Sequence, residues 1–212
     1  MKRYGQRCPA AIALDVIGER WTPLVIRELL LGPKRFTDLA DGLPGIGTNI
    51  LSNRLGALVE HGVVEKRTLP RPTPVTVYEL TDAGRALAPV LRELRGWGRR
   101  YGPAPQPGDA VRPAWIVQSA ASRDPGLEAG RTCELRIGDD AFTLAGHDES
   151  VEVTARAASA PDATVTLEPQ LFLRLATGRV DPADVGEQIR IDGDHRLAGD
   201  VVAMLAGAAG SN

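Results

Sequence analysis

Four side chains able to read a base edge, Thr48, Asn49, Ser52 and Asn53, open one leucine-periodic segment. In a helix over residues 48–60, Leu51, Leu55 and Leu58 form a single stripe, and the amides and hydroxyls fall on the other side. Such a helix buries leucines and displays small polar groups. Asparagine matches the donor and acceptor that adenine presents in the major groove of B-form DNA, a groove that admits one α-helix. Cations that would hold phosphates are close by in sequence: Arg54 in the same segment, Lys34 and Arg35 in the preceding loop, and Lys66, Arg67 and Arg71 on a later basic hairpin. From pattern alone, a small helical domain with a solvated polar face fits as well.

Other chemistry is weakly supplied. Cys8 and Cys133 lie far apart, and His61, His147 and His195 have no metal-ligand spacing, so neither a disulfide framework nor a metal site is expected. His147 with Asp148 and Glu149 sits in a Gly-flanked turn, where charged groups are usually solvated. His195, between Asp194 and Arg196, precedes a helix, where a polar side chain commonly caps. No nucleophile, base and orienting group fall into a recognisable motif, and there is no phosphate-binding glycine loop and no HExxH. An enzyme and a cofactor are therefore not expected.

The chain has 212 residues, 43% hydrophobic and 25% charged, which is ordinary for a globular protein of one large or two small domains. No run approaches the ~18 apolar residues of a membrane span, and the N-terminal stretch lacks an apolar signal region, so a cytoplasmic protein is expected. The net charge of -2 conceals an asymmetry. Residues 1–104 carry 16 Lys and Arg against 10 Asp and Glu; residues 105–212 carry 9 against 17. Only the first half is suited to a polyanion.

The segment at 102–109, GPAPQPGD, has three prolines and two glycines and marks a linker, giving expected domains at 1–102 and 111–212 with 103–110 between them. In the first, residues 10–17 read as a short helix. Thr22 as N-cap, Pro23 at the first helical position and Gly32 at the end delimit a second. A third begins near Thr37 and stops at Leu43-Pro44-Gly45, and the fourth is 48–60. Runs at 63–69 and 75–80 then form a hairpin with a proline-rich tip, and Thr81 caps a last helix over 83–101. That helix carries Leu87, Val90, Leu91, Leu94 and Trp97 on one stripe.

Two short helices joined by a Gly-containing turn and followed by a basic hairpin have the layout of a winged helix-turn-helix. The string from Cys8 to Gly98 resembles the HxlR-type transcriptional regulators: Cys-Pro near the start, LDVIGERWTPLVIRELLLGPKRFTDLADGLPGI, LSNRLGALVEHGVVEKR, a proline-rich wing, VYELTDAGRALAPVL and a closing Trp-Gly. The resemblance implies a dimeric DNA-binding protein that represses or activates genes and pairs through its terminal helices. Here these are residues 10–17 and 83–101, with Leu14, Leu87, Leu91, Leu94 and Trp97 as interface residues. One position departs from the family: Gly47 stands where serine usually opens the recognition helix. Glycine is tolerated as an N-cap, so the helix is expected to survive while any hydroxyl contact passes to Thr48. The resemblance also makes Cys8 a candidate redox sensor. Lys2, Arg3 and Arg7 beside it are cations that favour thiolate.

Beyond the linker, a helix over 112–123 bearing Trp115 is followed by strand-like segments at CELRI, AFTLAG, SVEVTA and ATVTLE. Then come helix at 169–177, a short helix near 182–185, a strand at QIRID and a helix over 197–205. The expected fold is an α+β domain with a mostly antiparallel sheet. The segment 161–205 resembles the C-terminal part of sterol-carrier-protein-like domains through Leu171, Leu175, Gly178, Ile191, Gly193 and Asp194. This implies an apolar pocket for a lipid, acyl chain or other hydrophobic small molecule. Trp115, Phe142, Leu144, Phe172, Leu175, Val201 and Leu205 are candidate walls, although a domain of this size needs that many apolar side chains for its core. The sequence as a whole suggests a homodimeric DNA-binding regulator with a hydrophobic effector. The alternative is a ligand carrier or interaction protein without DNA sequence preference.

Overall fold

The computed structural model describes residues 3–69, 74–122, 127–148 and 150–206. The chain divides into two compact units, Met1–Leu94 and Arg95–Asn212. Lys2, Arg71 and Glu149 lie outside the described residues.

The first unit runs α1 (Pro9–Ile17), α2 (Thr22–Leu29), α3 (Phe36–Gly42), α4 (Thr48–Glu60), β1 (Val64–Leu69), β2 (Val75–Leu80), α5 (Asp82–Arg85) and α6 (Ala88–Tyr101), the last extending past the division. Val25, Ile26 and Leu29 of α2, Leu39 of α3 and Leu51, Leu55 and Leu58 of α4 meet in one buried cluster. Val64 and Leu80 from the hairpin and Leu91 from α6 complete it. The apolar faces of six elements thus converge, which orients the short helices more strongly than their own propensity could. β1 and β2 are antiparallel in the register Val64↔Leu80 to Leu69↔Val75. Gly84 lets α5 turn against this hairpin, because a Cβ there would stand 2.2 Å from the Val63 carbonyl oxygen.

Two boundaries differ from expectation. Trp21, not Thr22, is the capping residue of α2: its carbonyl accepts from the Val25 N–H, and Thr22 opens the helix with its side chain buried. The expected helix over 83–101 is two helices. Thr81 does cap the first, accepting from the Gly84 N–H, but Pro89 has no N–H for the Arg85 carbonyl, and the chain restarts as α6.

The second unit places α7 (Pro113–Ala121), α8 (Pro169–Ala176) and α9 (His195–Ala206) with a five-stranded sheet of β3 (Thr132–Ile137), β4 (Asp140–His147), β5 (Ser150–Thr154), β6 (Ala163–Leu167) and β7 (Arg190–Gly193). The strand order is β5-β4-β3-β6-β7; every neighbouring pair is antiparallel except β3 with β6. The sheet is therefore mixed and mostly antiparallel. Register puts Cys133, Leu135, Ile137, Phe142, Leu144, Val153, Ala163, Val165 and Leu167 on one face, and all nine are buried. Val117, Phe172, Leu175, Val201 and Leu205 from the helices are buried with them. Gly193 has φ +91°, and a Cβ there would stand 2.4 Å from the Asp162 carbonyl oxygen, so β7 can close on the β6 end only with glycine.

Asp194, rather than His195, caps α9. Its carboxylate accepts from the Arg196 and Leu197 N–H groups and pairs with Arg131 at 2.7 Å.

Candidate nucleic-acid interface

α4 owes its placement to its own sequence. Leu51, Leu55 and Leu58 anchor one side in the core, and this leaves Thr48, Asn49, Ser52, Asn53 and Gly56 exposed on the outside. Gly47 is the N-cap with no side-chain hydrogen bond, so no side chain caps the N–H groups of the first turn, which lie beside the two amides.

The basic residues expected around it have unequal surroundings. Lys34 is only 17% exposed, and its Nζ lies 2.6 Å from Glu28 Oε2; Arg27 holds the other oxygen of the same carboxylate at 2.8 Å. Lys34 also pairs its backbone with Tyr78, donating at 3.0 Å and accepting at 2.8 Å, which bridges the loop before α3 to β2 of the hairpin. Arg54 is 3.4 Å from Glu19 Oε2, and Arg67 pairs with Glu79 across the strands. Lys66 is exposed over the Tyr78 ring. Arg35 is exposed, its backbone N–H donating to Asp38 while no carboxylate partner for its guanidinium occurs among the described residues.

Sequence reasoning missed Glu19, Glu28 and Glu79. For Glu28 a signal existed: it falls three residues after Val25 on the α2 stripe that must be buried, and an acid there needs partners. For Arg67 and Glu79 it did not, since their pairing follows from the hairpin register.

On α6, Leu91 belongs to the unit's own core and Leu87 packs against it, whereas Leu94 and Trp97 are 53% and 60% exposed. Val90 and Tyr101 are exposed with them at helical spacing, and Trp97 and Tyr101 rings stand 6.0 Å apart. On α1, Ile12 and Leu14 are exposed.

Cys8 is exposed at the N-cap of α1. Backbone N–H groups of Ala11 and then Ala10 pull its thiol below the ordinary value. The cause among the described residues is the helix start, and Arg3 lies toward Asp15. Cys133 is the opposite case: burial, with the charges of Glu134 and Asp162, pushes its thiol up to about 12.

In the second unit, Phe142, Leu144, Phe172, Leu175, Val201 and Leu205 are buried and Trp115 is half-buried. His147 Nε2 stands 3.4 Å from Glu152, both exposed. Among the described residues no group of three metal-ligating side chains assembles, and no helix is long and apolar enough to cross a membrane.

Residues 16–106 match the family described as HxlR-like helix-turn-helix. The HTH-type transcriptional regulator YvaP of Bacillus subtilis is 40% identical over 90 residues, 42% of this chain and 82% of that protein. The chain belongs to the HxlR-like family of transcriptional regulators. The HTH-type transcriptional regulator YodB of Bacillus subtilis is 35% identical over 99 residues, 47% of this chain and 86% of that protein. Its reduced form aligns over 49% of this chain and all of that one at 34% identity, with a TM-score of 0.41. The regulator Rv3095 of Mycobacterium tuberculosis is 42% identical over 94 residues, 44% of this chain and 59% of that protein. Residues 127–206 match a second family, the SCP-2 sterol transfer family. This HxlR-like chain therefore carries a sterol-carrier-type domain after its DNA-binding domain.

Proposed function

We propose that the protein is a homodimeric transcriptional regulator whose two α4 helices enter successive major grooves, and whose second unit binds a hydrophobic small molecule that adjusts DNA affinity. The observation that carries the reading is the division of α4: three leucines wholly inside, and two amides and two hydroxyls outside at its N-terminal end. Asn49, Ser52 and Asn53 read base edges. Thr48, Arg35, Lys66 and the wing-tip Arg71 hold phosphates, and Arg54 and Arg67 join them by exchanging a carboxylate for a phosphate. Lys34 positions the α2–α3 turn against the wing instead of touching DNA. Substituting Asn53 by Ala tests the assignment: sequence preference should relax while the unfolding midpoint stays unchanged.

Dimerisation uses the apolar faces of α1 and α6, through Leu14, Leu94 and Trp97. Residues 1–102 serve DNA binding and pairing, 103–110 link, and 111–212 hold the ligand. The buried face of the sheet, formed by β3, β4, β5 and β6, and the helices α7, α8 and α9 supply apolar side chains of the kind expected to line a hydrophobic-ligand domain. Coupling requires that the ligand bind the DNA-competent and DNA-incompetent forms with different affinity. Such a protein works in the cytoplasm, where its DNA is, and needs no catalytic group or cofactor. Saturable uptake of a fluorescent fatty acid, competed by apolar compounds, tests the ligand domain.

A further inference from the structure

The outer side of α4 contains one large residue that amide and hydroxyl chemistry leaves without a role. Ile50 is 43% exposed, between Asn49 and the fully buried Leu51. Its Cδ1 reaches back to 4.0 Å from where a Cβ on Gly47 would stand, so the helix start carries a bare apolar ridge beside the two asparagines. Val59, the other exposed aliphatic of α4, is more than two turns away near its C-terminal end. The same helix holds a single cation, Arg54, and that side chain is turned to Glu19. The displayed surface at the helix start therefore has groups for adenine and an apolar group, and it has no Arg or Lys with which to grip guanine.

A base-pair edge in the major groove offers one strongly apolar feature, the C5-methyl of thymine. We propose that Ile50 is a specificity-determining residue that packs on a thymine methyl next to an adenine held by Asn49 or Asn53, so that α4 reads A·T pairs. This rests on the DNA-binding reading above and adds the class of base pair that is read. The two groups exclude water from each other, and one buried methyl corresponds to about fourfold in affinity.

The test begins with enrichment of bound sequences from a random duplex library by the full-length protein. The enriched site is then resynthesised with each thymine replaced singly by uracil, which keeps every hydrogen-bonding group and lacks only the methyl. Expected are half-sites that contain thymine, one of whose replacements weakens the wild-type protein about fourfold. Ile50→Ala should bind thymine and uracil versions equally, at the affinity of the wild-type protein for uracil. Because Ile50 is not a core residue, its removal should leave the unfolding midpoint in place. An enriched half-site without thymine, or an Ile50→Ala protein that keeps the wild-type uracil penalty, would overturn the inference and leave the DNA-binding reading intact. A library with no enriched sequence would remove both.

Discussion

Glu28 and Lys34, six residues apart on either side of the α2–α3 turn, form a shielded ion pair at 2.6 Å, with Glu28 only 2% exposed. The pair joins α2 to the residue whose backbone bridges Tyr78 on the wing. A Cβ at Gly42 would stand 2.7 Å from the same carboxylate, so α3 also closes on it. One carboxylate therefore ties together three of the parts that orient α4 and the hairpin.

Removing one partner of this pair should cost more than the pair itself is worth. Glu28→Ala leaves Lys34 and Arg27 beside a shielded space, and a loss of about 3 kcal/mol is expected in urea unfolding. Glu28→Leu combined with Lys34→Met should recover much of that loss. Equal stability of Glu28→Ala and wild type would show that the pair does not hold the turn.

The basic residues should separate by assay. Arg35→Ala and Arg71→Ala should each weaken binding to every duplex and lower the salt slope by about 1. Lys34→Met should lower stability and leave that slope unchanged. A slope change for Lys34→Met as large as that for Arg35→Ala would return Lys34 to the phosphate contacts.

On α6, neighbouring leucines should behave in opposite ways. Leu94→Asp should convert a dimer to a monomer in sedimentation experiments with little change in unfolding midpoint at low concentration. Leu91→Ala should lose roughly 2–5 kcal/mol through the cavity it leaves. A Leu94→Asp protein that stays dimeric would take this face out of the interface.

The two cysteines should differ in reactivity. Cys8, stabilised as thiolate by N–H groups at the start of α1, should be alkylated by iodoacetamide in the native protein with a half-titration pH below that of the same thiol in the unfolded chain. Cys133 should react only on unfolding. If Cys8 is also the sensor, quinone or peroxide should release DNA from wild type and not from Cys8→Ser; release from both would clear Cys8 of that role.

A pH effect is expected in the second unit. Arg131 first, and then the Leu197 N–H, hold the Asp194 carboxyl below the usual carboxylate range. The stabilisation is fully present above the unfolded value of about 4, and it fades as the pH falls through the lower folded value. Asp194→Asn keeps an N-cap and lacks the charge, so its unfolding midpoint should vary less with pH across that window. Parallel pH curves for the two proteins would contradict the assignment.

Much of the fold was legible because local signals and burial agree. α4 begins at Thr48 and ends at Glu60 as its leucine spacing requires, and the hairpin strands end where the prolines begin. Boundaries failed where a longer-range partner decided. Thr22 lost the cap of α2 to Trp21, and Pro89 broke a helix that the apolar stripe ran straight through. The displayed face of α4 could be read from spacing alone. The fate of the cations could not, since Glu28, Glu19 and Glu79 reach Lys34, Arg54 and Arg67 only after the turn and the hairpin have formed.

Fluorescence anisotropy measures whether the protein binds DNA with sequence preference. The full-length protein is titrated, at two salt concentrations, onto the DNA upstream of its own gene and onto a shuffled duplex of equal length. Binding to the native fragment tighter by about 10³ or more is predicted. Equal affinity for both, falling steeply with salt, would leave only a basic surface and rule out a sequence-specific regulator.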